Sequence, residues 1–245
     1  MEAILGTVCP QRCATSAVVL PNPLFLTRAA GQKDHDMTHH GQLYIDGTSV
    51  APSTPGVREV VDPTTGAVFA AVGQGGVADV DLAVAAARRA LASSAQTSLA
   101  DRVALIDRII AAYKARARDF AEVIARVVGI PIRSTAQLNG PVGHMEVARD
   151  LLKSYAFEQR IGDTIIRREP IGVCALITPW NWPIQTPVIK LIYALAAGCT
   201  AVLKPSVAAP LSALRLAEVM HAAGVPAGVF NLIIGRGRVV GEANL

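Results

Sequence analysis

Residues 169–183, EPIGVCALITPWNWP, open the part of the chain whose pattern decides the fold. Val173–Thr178 is an apolar run of strand length, and it ends in a turn stiffened by Pro179 and Pro183. Pro187–Ala197 is apolar all round, which predicts a buried helix. Ala201–Leu203 predicts a second strand leading into Lys204 and Pro205. Leu211–Ala223 predicts a helix closed by Gly224 and Pro226, and Val229–Ile234 a third strand ended by Gly235. Strand and helix alternate in a way that predicts three parallel strands with two crossover helices, half of a doubly wound nucleotide-binding sheet.

Upstream the pattern changes. Ile161–Arg168 alternates and predicts a strand, preceded by a helix over about Met145–Tyr155. Asp119–Val128 predicts a helix stopped by Gly129, with Pro131 just beyond. Ser98 and Asp101 form a capping-box pattern for another helix, with Val103, Ile106, Ile110, Tyr113 and Ala117 as its buried face. A helix over Ala78–Leu91 buries Val80, Val84, Ala87 and Leu91, and carries Asp79 and Asp81 in its first turn. Gln42–Val50 predicts a hairpin turning at Asp46-Gly47, and Val57–Val61 and Val68–Val72 flank a second turn at Asp62–Gly66. Residues 1–36 carry no period, so Met37 is expected to be the natural start and the stretch before it an upstream extension. The His39-His40 pair is expected to be a solvated start and not a metal site, because no further ligands accompany it.

Composition narrows the function. Of 245 residues, 51% are hydrophobic and 17% charged, enough for one large domain or two small ones. The net charge of +4 is spread along the chain without a basic run, which argues against nucleic acid as a partner. Cys9, Cys13, Cys174 and Cys199 complete no zinc pattern and are expected to be free thiols in a reducing compartment. Pro187–Leu203, the most apolar stretch, contains Lys190 and Gly198 and is too short to span a bilayer. Glu2 stands where a signal peptide would be basic, so a soluble, cytoplasmic protein without membrane contact is expected.

Three segments in order, 169–183, 194–206 (ALAAGCTAVLKPS) and 223–235 (AGVPAGVFNLIIG), resemble the aldehyde dehydrogenase superfamily, and the resemblance extends over residues 42–245. It implies an α/β protein, the N-terminal part of the aldehyde dehydrogenase fold: an incomplete Rossmann-like parallel sheet with flanking helices. On this reading residues 1–36 are an unassigned extension, and 37–156 are the N-terminal hairpins and helices of the cofactor-binding domain. Residues 157–170 are a β-arm of the oligomerisation type, and 171–245 the first half of the nucleotide-binding sheet. The implied activity is NAD(P)-dependent oxidation of an aldehyde to a carboxylic acid, with NAD or NADP as cofactor and a homo-oligomer formed through the arm.

Asn181 follows a strand end, where ligands bind in open α/β sheets. By the resemblance its amide stabilises the oxyanion formed when a cysteine thiolate attacks the aldehyde, and losing one such donor costs roughly 3–4 kcal/mol. Lys204 matches the lysine that binds the adenosine ribose, and Ile177, Pro179, Trp180 and Ser206 match cofactor-lining positions. Gly237 and Gly241 are expected to pack near the adenine, in a glycine pattern one residue off the dinucleotide fingerprint. Val207 stands where many NAD-preferring members have a glutamate, which leaves NADP open, and Val127 replaces a glutamate at a helix end. The family's nucleophilic cysteine, general-base glutamate and pyrophosphate loop match nothing up to residue 245, and neither Cys174 nor Cys199 has the nucleophile's context. The chain alone is therefore expected to be inactive and marginally stable, with an exposed sheet edge. The rival readings are a non-catalytic nucleotide- or partner-binding fragment and a relic reading frame.

Overall fold

A computed structural model describes residues 38–133 and 136–244. The N-terminal extension, with Cys9, Cys13 and Met37, lies outside them. Thr38–His40 is a short strand, β1, paired in parallel with β5 (Val68–Gly73). Between them come β2 (Leu43–Ile45), β3 (Thr48–Val50) and β4 (Val57–Val61). The β2–β3 turn has positive φ at both Asp46 and Gly47, the two-residue hairpin geometry that matches strand twist. β4 and β5 are antiparallel, with a register shift between Val60 and Val61, so β1, β5 and β4 form a three-stranded sheet of their own.

Four helices follow. In α1 (Val77–Ser94), Asp79 is buried and its carboxylate accepts from the Gly76 amide at 2.8 Å, closing the first turn. The same carboxylate accepts from the Ser53 amide at 3.0 Å and hydroxyl at 2.9 Å, which ties the loop after β3 to the helix. α2 (Leu99–Ala115) has Ser98 as its N-cap, the Asp101 amide donating to Ser98 Oγ at 3.1 Å. The helix breaks at Arg116, so Ala117 is not part of its buried face and instead begins α3 (Ala117–Val128). Phe120, Ile124 and Val127 line the buried side of α3, and Phe120 stacks on Tyr113 at 4.6 Å. Val127 is therefore a core residue, and Gly129 ends the helix in the left-handed conformation that a glycine adopts without strain. α4 (Ala136–Leu152) starts well before the expected Met145 and carries Pro141 inside it, packing against α2 and α5. Gly140-Pro141 hides this start from a propensity argument.

The expected single strand at 161–168 is a hairpin, β6 (Glu158–Ile161) and β7 (Thr164–Arg167), turned at Gly162 with positive φ. Both strands are exposed and, among the described residues, pair only with each other.

β8 (Val173–Ile177), α5 (Gln185–Ala196), β9 (Thr200–Lys204), α6 (Leu211–Ala222) and β10 (Phe230–Leu232) are the predicted alternating unit, with β8, β9 and β10 parallel. The sheet, however, has five strands in the order β3-β2-β10-β9-β8. β2 pairs antiparallel with β10, Leu232 opposite Tyr44, so the third strand's edge is covered, and among the described residues the sheet's two edges are β3 and β8. Buried Asn231 fastens this junction: its Oδ1 accepts from the Asp46 amide at 2.9 Å and its Nδ2 donates to the Gly228 carbonyl at 2.8 Å. α1, α5 and α6 pack against the sheet. Gly228 lets α1 come close, since a Cβ there would fall 2.6 Å from the Ala86 carbonyl oxygen. A π-helical turn, Gly237–Gly241, follows β10. Among the described residues no helix is long and apolar enough to cross a membrane.

Candidate functional site

The site is built where β8 and β9 end. The two strands run parallel in register, with Ile177 opposite Lys204, and the Thr178 amide donates to the Lys204 carbonyl at 3.1 Å. Parallel pairing brings both carboxyl ends to one edge, the place where open α/β sheets bind ligands. One strand delivers the Pro179–Pro183 turn and the other delivers Lys204, Pro205 and Ser206.

The turn is anchored at its base and open at its tip. Pro183 and Ile184 are buried, whereas Pro179, Trp180, Asn181 and Trp182 are exposed. The Thr186 hydroxyl and amide both donate to the Trp182 carbonyl, at 2.6 and 3.2 Å, which fastens the turn to α5. From the other side Gln137 Nε2, on the first turn of α4, donates to the Asn181 carbonyl at 3.2 Å. Asn181 thus sits on a backbone held from two helices, with its side chain facing solvent.

Lys204 is 6% exposed, and its ammonium donates to the Pro205 carbonyl at 3.2 Å. Among the described residues no carboxylate pairs with it, and burial pushes its pKa down. A buried cation without a counter-ion is costly and favours a ligand with anionic or hydroxyl oxygens. Gly241 lies along the lysine's stem, as a Cβ there would meet Lys204 Cδ and Cε at 3.9 Å. Gly237 is exposed with open space around it, and Gly235 abuts Val240. Half-buried Ser206 accepts from the Ala208 amide at 3.3 Å, and Val207 packs against the core. Exposed Ile177, Pro179 and Trp180 complete the same edge.

Two residues here escape a reading of the sequence. Thr178 is buried at the strand end with its hydroxyl unpartnered among the described residues, and Gln137 reaches the site from a helix remote in sequence. Thr178 could have been found from its place between strand and proline; nothing in the sequence around Gln137 marks it.

Neither thiol is poised for attack. Burial, reinforced by neighbouring Cys199, pushes the Cys174 thiol up to about 11, and Cys199 is buried. A cavity of about 590 Å³ lies elsewhere, between the β1–β3 region and α6. Its polar groups are engaged with one another or their neighbours: Tyr44 Oη with His221 Nδ1 at 3.3 Å, and Glu218 with Arg116 at 2.6 Å and Arg215 at 2.8 Å. Burial, and less so Arg215, holds the His40 pKa down against Glu218. Among the described residues no group of side chains is arranged to hold a metal.

Residues 50–244 match the aldehyde dehydrogenase family. The chain is 42% identical over 208 residues to a 3-succinoylsemialdehyde-pyridine dehydrogenase of a Pseudomonas species, covering 84% of this chain and 44% of that protein. It is similar to a mutant of aldehyde dehydrogenase C from Pseudomonas syringae solved with NAD+ and octanal, at 48% identity and a TM-score of 0.81, over 86% of this chain and 43% of that one. An aldehyde dehydrogenase from Bartonella henselae gives 39% identity and a TM-score of 0.82, over 84% and 44%. The chain therefore spans less than half the length of these relatives.

Proposed function

From the premise that this chain belongs to the aldehyde dehydrogenase family, we propose that it supplies the adenosine-binding edge and the oxyanion donor for NAD(P)-dependent oxidation of an aldehyde to a carboxylic acid. The observation that supports this reading is the pairing of Ile177 with Lys204, which sets the Asn181 turn and a buried, uncompensated cation at one sheet edge. The residues present fit a dinucleotide. Lys204 lacks an anionic partner, Gly241 leaves room along its stem, and Ile177, Pro179 and Trp180 offer exposed apolar surface.

Lys204 would donate to the adenosine ribose hydroxyls, with Ser206 beside it. Val207 can neither accept from a ribose hydroxyl nor repel a 2′-phosphate, so the edge admits NADP as well as NAD. When bound, the nicotinamide supplies the hydride acceptor. Asn181, held on a turn between two prolines, donates its amide N–H to the aldehyde oxygen as negative charge develops, and such a fixed donor contributes roughly 3–4 kcal/mol in the transition state. The chain's own described thiols do not serve as nucleophile, so alone it binds dinucleotide without turnover. The exposed β6–β7 ribbon, with Ile161, Ile165 and Ile166 at its surface, is one of the surfaces the chain offers to a second copy.

The purified 245-residue protein would be titrated with NAD+ and with NADP+, following tryptophan emission, and then assayed with octanal for nicotinamide reduction. Saturable binding that weakens roughly tenfold or more in Lys204→Met is expected, on the scale of one lost charge-assisted contact, together with no reduction of the cofactor. Absence of binding would remove the site; turnover would show that a resident thiol attacks after all.

A further inference from the structure

We propose that Gln137 is a positioning residue for Asn181; the inference rests on the reading of Asn181 as the oxyanion donor. Gln137 is 6% exposed on the first turn of α4, and its Nε2 donates to the Asn181 carbonyl at 3.2 Å. Its Oε1 is buried and unpartnered among the described residues. A half-satisfied buried amide is a poor way to stabilise a fold, because an apolar side chain of the same length would fill the space without desolvating an oxygen. The amide makes sense through the one bond it does form, to the peptide that carries Asn181.

The surroundings support the same role. One turn further along α4, a Cβ at Gly140 would fall 2.7 Å from Gln185 Oε1, so at this point the backbone of α4 lies directly against the Gln185 side chain on the first turn of α5. The Asn181 peptide is thereby gripped between Gln137 on one side and the Thr186 clasp on Trp182 on the other. Fixing that carbonyl fixes the Asn181–Trp182 peptide plane and with it the direction from which the Asn181 side chain starts. Oxyanion donors act only within a narrow geometry, so a donor on an exposed turn needs such a support.

The chain's two tryptophans, Trp180 and Trp182, flank Asn181, so emission excited at the red edge, where the four tyrosines do not absorb, reports on this turn. In Gln137→Met the acrylamide quenching constant is expected to rise roughly twofold as the turn loses an anchor and opens locally. Circular dichroism melting of the same protein gives the global stability separately. Should the methionine variant fold poorly, Gln137→Glu carries the test. A protonated carboxyl can donate to the Asn181 carbonyl and an ionised one cannot, so quenching becomes pH-dependent in the variant and stays flat in the native chain. Unchanged quenching in both variants, with only a lowered melting temperature, would overturn the proposal and leave Gln137 as packing. The measurement involves neither cofactor nor aldehyde, so its failure is separable from failure of the Asn181 reading, which the binding and turnover assays address.

Discussion

Lys204 shows how a binding residue is held at a cost to the fold. The ammonium is enclosed with one carbonyl as partner, and burial lowers its pKa. Lys204→Met is expected to stabilise the ligand-free chain by about 1 kcal/mol while weakening dinucleotide binding, the trade-off usual at functional sites; urea unfolding beside the binding titration checks both. The pH dependence has a definite sign. The unfolded chain keeps a proton on this lysine that the folded chain sheds first, so stability rises as pH climbs from the lowered pKa to the ordinary lysine value. That rise should be absent in Lys204→Met. Asp79 is the opposite case, a buried carboxylate that accepts from two amides and a hydroxyl. Asp79→Ala strands those donors and should cost about 3 kcal/mol in the same unfolding assay. That Asn181 and Lys204 lie at strand ends was legible from the strand-to-proline pattern, whereas the roles read for them come from the family resemblance. The bond from Gln137 was not legible, because it depends on where α4 lands in space.

Among the elements, helix ends were read more reliably than strand pairings. Ser98 and Gly129 terminate helices by local chemistry, a side-chain acceptor and a left-handed backbone, and local chemistry is what a sequence displays. Ser98→Ala should cost about 1 kcal/mol through the lost cap on α2, and Gly129→Ala about 1 kcal/mol through the left-handed φ. Thermal unfolding reads both, and losses well below this would mean that tertiary packing alone sets the two helix ends. α4 was read too short because Gly140-Pro141 argues against helix, although packing on α2 and α5 overrides that preference. The first half of the ribbon was covered only by the resemblance, as part of the arm at 157–170, because Glu158-Gln159-Arg160 shows neither an apolar run nor alternation.

The whole sheet was half legible. Three parallel strands follow from alternating strand and helix segments, but closure of β10 by β2 joins parts of the chain far apart in sequence, and no local pattern announces it. This pairing moves the edge at the third strand out to β3 and leaves β8 as the sheet's other edge, where Ala175 and Ile177 are open to solvent and Ile171, just before the strand, is 90% exposed. An unpaired parallel strand with apolar surface is a template for another chain's strand. The β6–β7 ribbon offers a second such surface, so self-association of the purified protein has two possible origins that a substitution can separate. Ala175→Lys places a charge on the β8 edge without touching the proposed site, whereas Ile165→Thr reduces the ribbon's apolar face. Sedimentation velocity over a concentration series is expected to show association in the native chain, a marked loss of it in Ala175→Lys, and a smaller loss in Ile165→Thr. The edge should dominate because it offers backbone hydrogen bonds along β8 as well as apolar area. The reverse order would instead make the ribbon the main contact between copies.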